Sequence, residues 1–170
     1  MRERTIYRGK LVTLVVRQVE RGDKVLDREI VEHAPGAAIL ALDEQGRVLL
    51  VRQHRPAVQA DVLELPAGLV DAGESPEACA LRELQEETGY AAEAVDLLLR
   101  FYPSPGFCDE VVHVFAARGV RPSPDHGVDE EEELEVVRLP LDEAIRQVLA
   151  GIADAKTMAG LLAFKARDRA

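Results

Sequence analysis

Cysteine, lysine, net positive charge and long apolar runs are all scarce in this chain of 170 residues, and each scarcity closes off a class of protein. The two cysteines, Cys79 and Cys108, show no metal-ligand spacing and do not make a disulfide framework, so free thiols in a reducing cytoplasm are expected. Leu11 to Val16 is too short and too mixed for the apolar region of a signal peptide, and no run approaches the ~20 residues that cross a bilayer. A soluble, intracellular protein without membrane association is the expectation. With 21 basic against 31 acidic residues the net charge is -10, which repels a phosphate backbone and argues against nucleic acid as a partner. Lysine occurs only at Lys10, Lys24, Lys156 and Lys165, the other basic residues being arginine, a bias that a GC-rich genome or a warm habitat would each produce. No repeat is visible, and one run of glutamates is the sole low-complexity stretch. The length suits a single domain with one substantial core.

What the chain does have is concentrated between Gly68 and Tyr90, GLVDAGESPEACALRELQEETGY. Ser75 is a natural N-cap, Pro76 fits the first helical position, Glu77 falls in the first turn, and Gly89 is placed to end the helix left-handed, which predicts a helix over Pro76 to Thr88. On it Glu83, Glu86 and Glu87 lie three and four residues apart, within an arc of about 100° on one face. Nothing local favours this, because like charges at those spacings repel by about 0.2–0.5 kcal/mol per pair and acids in the last turn face the negative end of the helix dipole. A bound cation would reverse the sign. For an arbitrary pair of glutamates a solvated acidic face is the better reading, but it leaves the flanks unexplained. Gly68 allows close backbone approach, Val70-Asp71-Ala72-Gly73 can fold tightly, and Arg82 can pair with Glu74 beside the carboxylates, which together suit a hard metal ion.

The fixed positions Gly68, Glu74, Arg82, Glu83, Leu84, Glu86, Glu87 and Gly89 resemble the Nudix box, and only Tyr90 departs, where that family usually carries an aliphatic residue. These 23 residues are the specific part of the resemblance. It implies an α/β (α+β) fold, a Nudix-type α/β/α sandwich with a mixed central sheet, here preceded by an N-terminal antiparallel β arm. It also implies Mg2+, with Mn2+ or Zn2+ as substitutes, held by Glu83, Glu86 and Glu87, a further ligand in the Ala67 carbonyl, and Glu74 with Arg82 orienting the helix.

Along the rest of the chain, Thr5 to Val16 and Lys24 to Glu32 read as strands of a hairpin around Arg21-Gly22-Asp23. Pro35-Gly36 follows, which places a boundary near His33 between an arm, residues 1–33, and a catalytic domain, residues 34–170. Ala37 to Leu42 reads as a buried central strand, Asp43-Glu44-Gln45-Gly46 as a turn, and Arg47 to Gln53 as the return strand of a hairpin. Arg55, at a strand end, either clamps phosphate or keeps an exposed edge soluble. Glu64 is either a ligand-facing acid, the side that the resemblance favours, or a paired strand residue.

The stiff loop Pro103-Ser104-Pro105-Gly106-Phe107-Cys108-Asp109 separates strands at Val95 to Tyr102 and Glu110 to Ala117. A proline 16 residues beyond Gly89, within Ser-Pro-Gly, resembles the branch of the family that hydrolyses ADP-ribose to AMP and ribose 5-phosphate, which makes Pro105 and Gly106 substrate contacts. Asp125 to Glu135 is most simply a solvated acidic loop, but beside bound cations it can close over a substrate. The resemblance implies a loop glutamate in catalysis, with Glu130 as base and Glu132 as a further ligand. A last strand at Val136 to Leu139 precedes a helix capped by Asp142 over Glu143 to Leu149, and a second helix over Asp154 to Ala166.

The partner expected is a small nucleoside diphosphate. A homodimer is expected too, since a long β arm is not easily buried by one small domain, and relatives that resemble this chain swap the arm so that Arg28 and Glu29 would hold adenosine in the partner's site. The alternatives are a Nudix pyrophosphatase for another nucleotide sugar or dinucleotide, and a non-catalytic Nudix regulator, which tends to lose box carboxylates or gain a DNA-binding extension.

Overall fold

A computed structural model describes residues 2–124 and 134–167. Its first three strands, β1 (Glu3–Arg8), β2 (Val12–Arg21) and β3 (Lys24–His33), form an antiparallel sheet of their own. The β2–β3 turn is Gly22-Asp23, with Gly22 at φ 61°, where a Cβ would be unfavourable. The expected first stretch is broken at residues 9–11, so the arm has three strands rather than two.

Next come β4 (Gly36–Leu40), β5 (Arg47–Arg55), β6 (Ala60–Glu64), β7 (Ala67–Leu69), α1 (Pro76–Thr88), β8 (Tyr90–Ala91), β9 (Ala94–Phe101), β10 (Val112–Arg118), β11 (Arg121–Pro122), β12 (Leu134–Pro140), α2 (Leu141–Ala150) and α3 (Ala155–Arg167). Every residue of β4 is buried, and it pairs with β10 in parallel and with β7 antiparallel, in a mixed sheet ordered β7-β4-β10-β9. Alternation along β4 then sorts its side chains between two layers. Ala38 and Leu40 join Leu65, Val114, Ala144, Val148 and Leu161 on the side of α2 and α3. Ala37, Ile39 and Ala41 join Cys79, Ala80, Leu84, Tyr90 and Phe115 on the side of α1. The result is an α/β/α sandwich. At Gly160 in α3 an added Cβ would lie 2.7 Å from Leu65, so the helix packs close on the sheet because that residue has no side chain.

The expected hairpin between residues 37–42 and 47–53 does not form. Only the Leu42–Val48 bridge and the Leu49 N–H donating to the Ala41 carbonyl at 2.9 Å join them, and β5 sits in a second sheet, β12-β5-β6. The reason is burial: Val48 to Val51 are at most 2% exposed, so β5 is itself a central strand that needs a neighbour on each edge. Asp142 does not cap α2 either. Pro140 occupies the cap without a side-chain bond, its φ of -54° already near helical, and Asp142 lies in the first turn, paired with Lys165 at 2.8 Å. Asp154, in contrast, caps α3 from outside by accepting from the backbone of Lys156 and Thr157.

Asp43 makes the turn between the sheets. Its buried carboxylate accepts from Gln45 N at 3.0 Å, Arg47 N at 2.9 Å and Arg47 Nε at 2.8 Å. Burial pushes its carboxyl up, but the Arg47 and Gln45 donors outweigh that and hold it below the ordinary 3.8. A depressed pKa gives stability that is fully present above the ordinary value and is lost as pH falls through the folded one. Asp43→Asn should therefore cost about 1–3 kcal/mol at about pH 7, and the gap from wild type should narrow by about pH 3, as read from denaturant midpoints at both pH values.

Candidate active site

The box helix forms as its end signals dictate. Ser75 Oγ accepts from Ala78 N at 3.2 Å, Pro76 opens the first turn, and Gly89, at φ 73°, donates to the Gln85 carbonyl at 2.9 Å. The apolar stripe of α1 faces the sheet, and Glu83 and Glu87 lie along it rather than on the solvent side. They are 9% and 7% exposed, so the solvated-face reading fails for both, whereas the Glu86 side chain is 43% exposed.

Two contacts fix the buried pair against β7. A Cβ on Gly68 would lie 1.8 Å from Glu83 Oε1, so only glycine leaves room for that carboxylate. Glu87 Oε2 accepts from the Ala67 N–H at 3.0 Å. Arg82 joins the other acids: Nε and Nη2 reach Glu74 at 3.0 and 3.2 Å, and Nη1 bridges Glu83 Oε1 at 2.7 Å and Glu86 Oε2 at 2.8 Å. Its hydrogen bonds to Glu74, above all, raise its pKa further, so it stays a cation. Glu74 also accepts from the Asp71 N–H at 3.1 Å and thereby closes the loop ahead of the helix. Cys79, beneath this loop, donates to the Leu69 carbonyl at 3.3 Å, and burial pushes its thiol up to about 12, which makes it an inert core residue.

Glu83, Glu87, Ala67 and Gly68 line a cleft of about 530 Å³ together with Arg55, Gln53, His33, Glu110 and Lys156. Arg55 Nε and Nη2 form a fork on Glu64 at 2.7 and 2.8 Å, and Lys156 Nζ reaches the same carboxylate. Glu64 is 2% exposed; burial raises its pKa, but the bond from Arg55 and the nearby Lys156 ammonium leave the net shift downward, and the group is ionised. Arg28, Glu29, Pro105 and Gly106 meet elsewhere, in a second cavity of about 380 Å³ between β3 and the 103–109 loop. Glu130 and Glu132 lie outside the described residues. Lys156, His33 and Glu110 were missed at the sequence level. Nothing local marks them, apart from Lys156 being one of four lysines.

A family described as NUDIX domain matches residues 32–161. The chain belongs to the Nudix family. It is 41% identical over 155 residues to an ADP-ribose pyrophosphatase of Bacillus subtilis (strain 168), covering 89% of this chain and 84% of that protein. It is 38% identical over 156 residues to a methanol dehydrogenase activator of Bacillus methanolicus, covering 90% and 84%. A solved structure of an ADP compounds hydrolase superposes with a TM-score of 0.81 at 24% identity, covering 99% of this chain and 92% of that one, which shows the shared fold. Tyr90, the departure from the Nudix box, is accommodated in the core beside α1, with the Arg138 guanidinium 5.6 Å from its ring centre.

Nudix hydrolases generally need a divalent metal. Among the described residues no three Asp, Glu, His or Cys side chains form a ready cluster, and the cation between Glu83 and Glu86 is the Arg82 guanidinium. The donor set nevertheless fits a hard ion, since Glu83 and Glu87 are carboxylates held beside the β7 backbone, where the absent Gly68 side chain leaves room for the Glu83 carboxylate, and Glu86 shares Arg82 with Glu83. Gly68→Ala should displace the flexible end of Glu83 and leave the fold in place. Mn2+ affinity, titrated by electron paramagnetic resonance, should weaken about tenfold or more while the thermal midpoint stays within a few degrees of wild type.

Proposed function

We propose that the chain hydrolyses the pyrophosphate bond of ADP-ribose to AMP and ribose 5-phosphate, with Mg2+ as the metal and Mn2+ or Zn2+ as substitutes. The observation that carries this reading is the cleft itself, which the box carboxylates Glu83 and Glu87 line together with the guanidinium of Arg55 and the ammonium of Lys156. That suits a diphosphate, whose oxygens need cations on both sides. The choice of ADP-ribose rests on the Ser104-Pro105-Gly106 loop and on the name of the Bacillus subtilis relative.

Glu83, Glu86, Glu87 and the Ala67 carbonyl would hold the metal, which when bound neutralises phosphate charge and lowers the pKa of the attacking water. Arg82 keeps the carboxylates apart and oriented. Arg55, held by Glu64, clamps a phosphate oxygen, and the acidic segment supplies Glu130 as base and Glu132 as a further ligand. A binding-only regulator is disfavoured because the box is complete, with Glu74, Arg82, Glu83 and Glu86 joined in one hydrogen-bonded group.

A panel of nucleotide sugars and dinucleotides, hydrolysed in oxygen-18 water, tests the substrate. ADP-ribose should show the highest kcat/KM, and a preference of tenfold or more for another compound would overturn the choice. Glu83→Gln and Glu87→Gln should each lower kcat by more than about a hundredfold at saturating Mg2+ with the fold intact, because even partners one step removed from a metal cost 10–100-fold. Near wild-type turnover in either variant would remove that residue from the metal set.

The same reading includes a homodimer formed through the arm. Ile6, Tyr7 and Val25 on its strands are 46%, 59% and 59% exposed, apolar side chains that a second copy would cover, bringing Arg28 and Glu29 to the partner's adenosine. Light scattering at micromolar concentration should give twice the chain mass. A fully active monomer would sink the proposal.

A further inference from the structure

Outside the box, two cations that line the cleft, Arg55 and Lys156, meet at one buried carboxylate, Glu64. Glu64 is 2% exposed, and a buried carboxylate needs one well-aligned cation. Arg55 already supplies it through two parallel bonds at 2.7 and 2.8 Å. Yet Lys156 Nζ also contacts Glu64, from a residue 92 positions away on a different element. Resting on the reading of this cleft as a diphosphate site, we infer that Lys156 is a second phosphate-binding residue and that Glu64 is the positioning residue that holds Lys156 and Arg55 side by side as a two-cation clamp.

The local architecture fixes Lys156 from both ends. Asp154 Oδ1 accepts from the Lys156 N–H at 3.0 Å and from the Thr157 N–H at 3.2 Å, and it meets Lys156 Nζ at 3.0 Å. Thr157, fully buried, accepts from the Leu65 N–H at 2.8 Å and so ties the first turn of α3 to the residue next to Glu64. The ammonium therefore stands at a set place on the cleft wall with its side chain 17% exposed. Of its three N–H donors, Glu64 and Asp154 account for two, and the third is left for a ligand oxygen. Because Glu64 receives Arg55 on both oxygens and Lys156 on one of the same two, the two cations are neighbours, a spacing that suits the adjoining phosphates of a diphosphate. The need is electrostatic: Glu83, Glu87 and Glu110 face the same cleft, and a diphosphate entering it meets three carboxylates. If Lys156 served only to neutralise Glu64, its removal would alter stability and leave ligand affinity alone.

Calorimetric titration of inorganic pyrophosphate in the presence of Mg2+ separates these roles without relying on turnover. Lys156→Met should weaken pyrophosphate about tenfold and raise KM for ADP-ribose by a similar factor, with kcat changed less than about threefold. Glu64→Gln should weaken it further, since both cations lose their anchor. In the unaltered protein, acetic anhydride labelling read by mass spectrometry should show Lys156 protected severalfold by Mg2+ and pyrophosphate, with Lys24 and Lys165 unchanged, so the inference is tested even where a variant fails to fold. Pyrophosphate affinity within twofold of wild type in Lys156→Met, or unprotected Lys156 in the labelling, overturns it. A protein that binds pyrophosphate through Lys156 but hydrolyses no nucleoside diphosphate leaves the clamp standing and removes the proposed function. Hydrolysis of ADP-ribose with an unchanged KM in Lys156→Met does the reverse.

Discussion

The burial of Glu83 and Glu87 against the backbone of β7 is the constraint on which the rest of the site depends. A carboxylate removed from water costs several kcal/mol unless charge and hydrogen bonds compensate, and here two of them sit one helical turn apart. Compensation comes from fixed neighbours: the Ala67 N–H for Glu87, and Arg82 for Glu83. Arg82 can serve only if its own position is set, which Glu74 does with both oxygens, and Glu74 in turn is held by the Asp71 N–H. The glycine at residue 68, the tight loop and the arginine thus follow from one requirement, the storage of negative charge on α1 against the sheet.

The sandwich makes that storage affordable. Because β4 is buried on both faces, α1 and the α2–α3 pair pack on opposite sides of one strand, and the two ends of the chemistry reach the same cleft from different layers. The box arrives on α1, Arg55 on β5, and Lys156 on α3, which Gly160 lets approach the sheet closely. A protein with a net charge of -10 can therefore present cations to an anionic ligand locally, on a wall its overall charge would not suggest.

Legibility followed sequence distance. The box helix was readable to the residue because Ser75, Pro76 and Gly89 act within a turn of where they stand, and the Arg82–Glu74 pair spans only eight residues. The Gly22-Asp23 turn was readable for the same reason. The partner of β5 was not, since an apolar run with a turn before it looks like a hairpin strand whether it pairs with its predecessor or with β12, some 80 residues on. Nor was the burial of Glu83 and Glu87, because a helical face of glutamates looks solvated until the sheet it covers is known. Asp142 failed as a cap for a local reason: Pro140 fixes the entry to α2 two residues earlier.

Glu64 carries the same point to the level of chemistry. Within its own segment it alternates with apolar neighbours and reads equally as an acid facing ligand or as a paired strand residue. Its environment is made by Arg55, reached across the β5–β6 hairpin, and by Lys156, reached only once α3 has docked on the sheet. A carboxylate shared by two cations from different elements couples the docking of α3 to the placing of Arg55 and Lys156 along the cleft. The bond from Leu65 to Thr157 adds a neutral tie at the same junction, so α3 cannot shift without moving the charge it delivers.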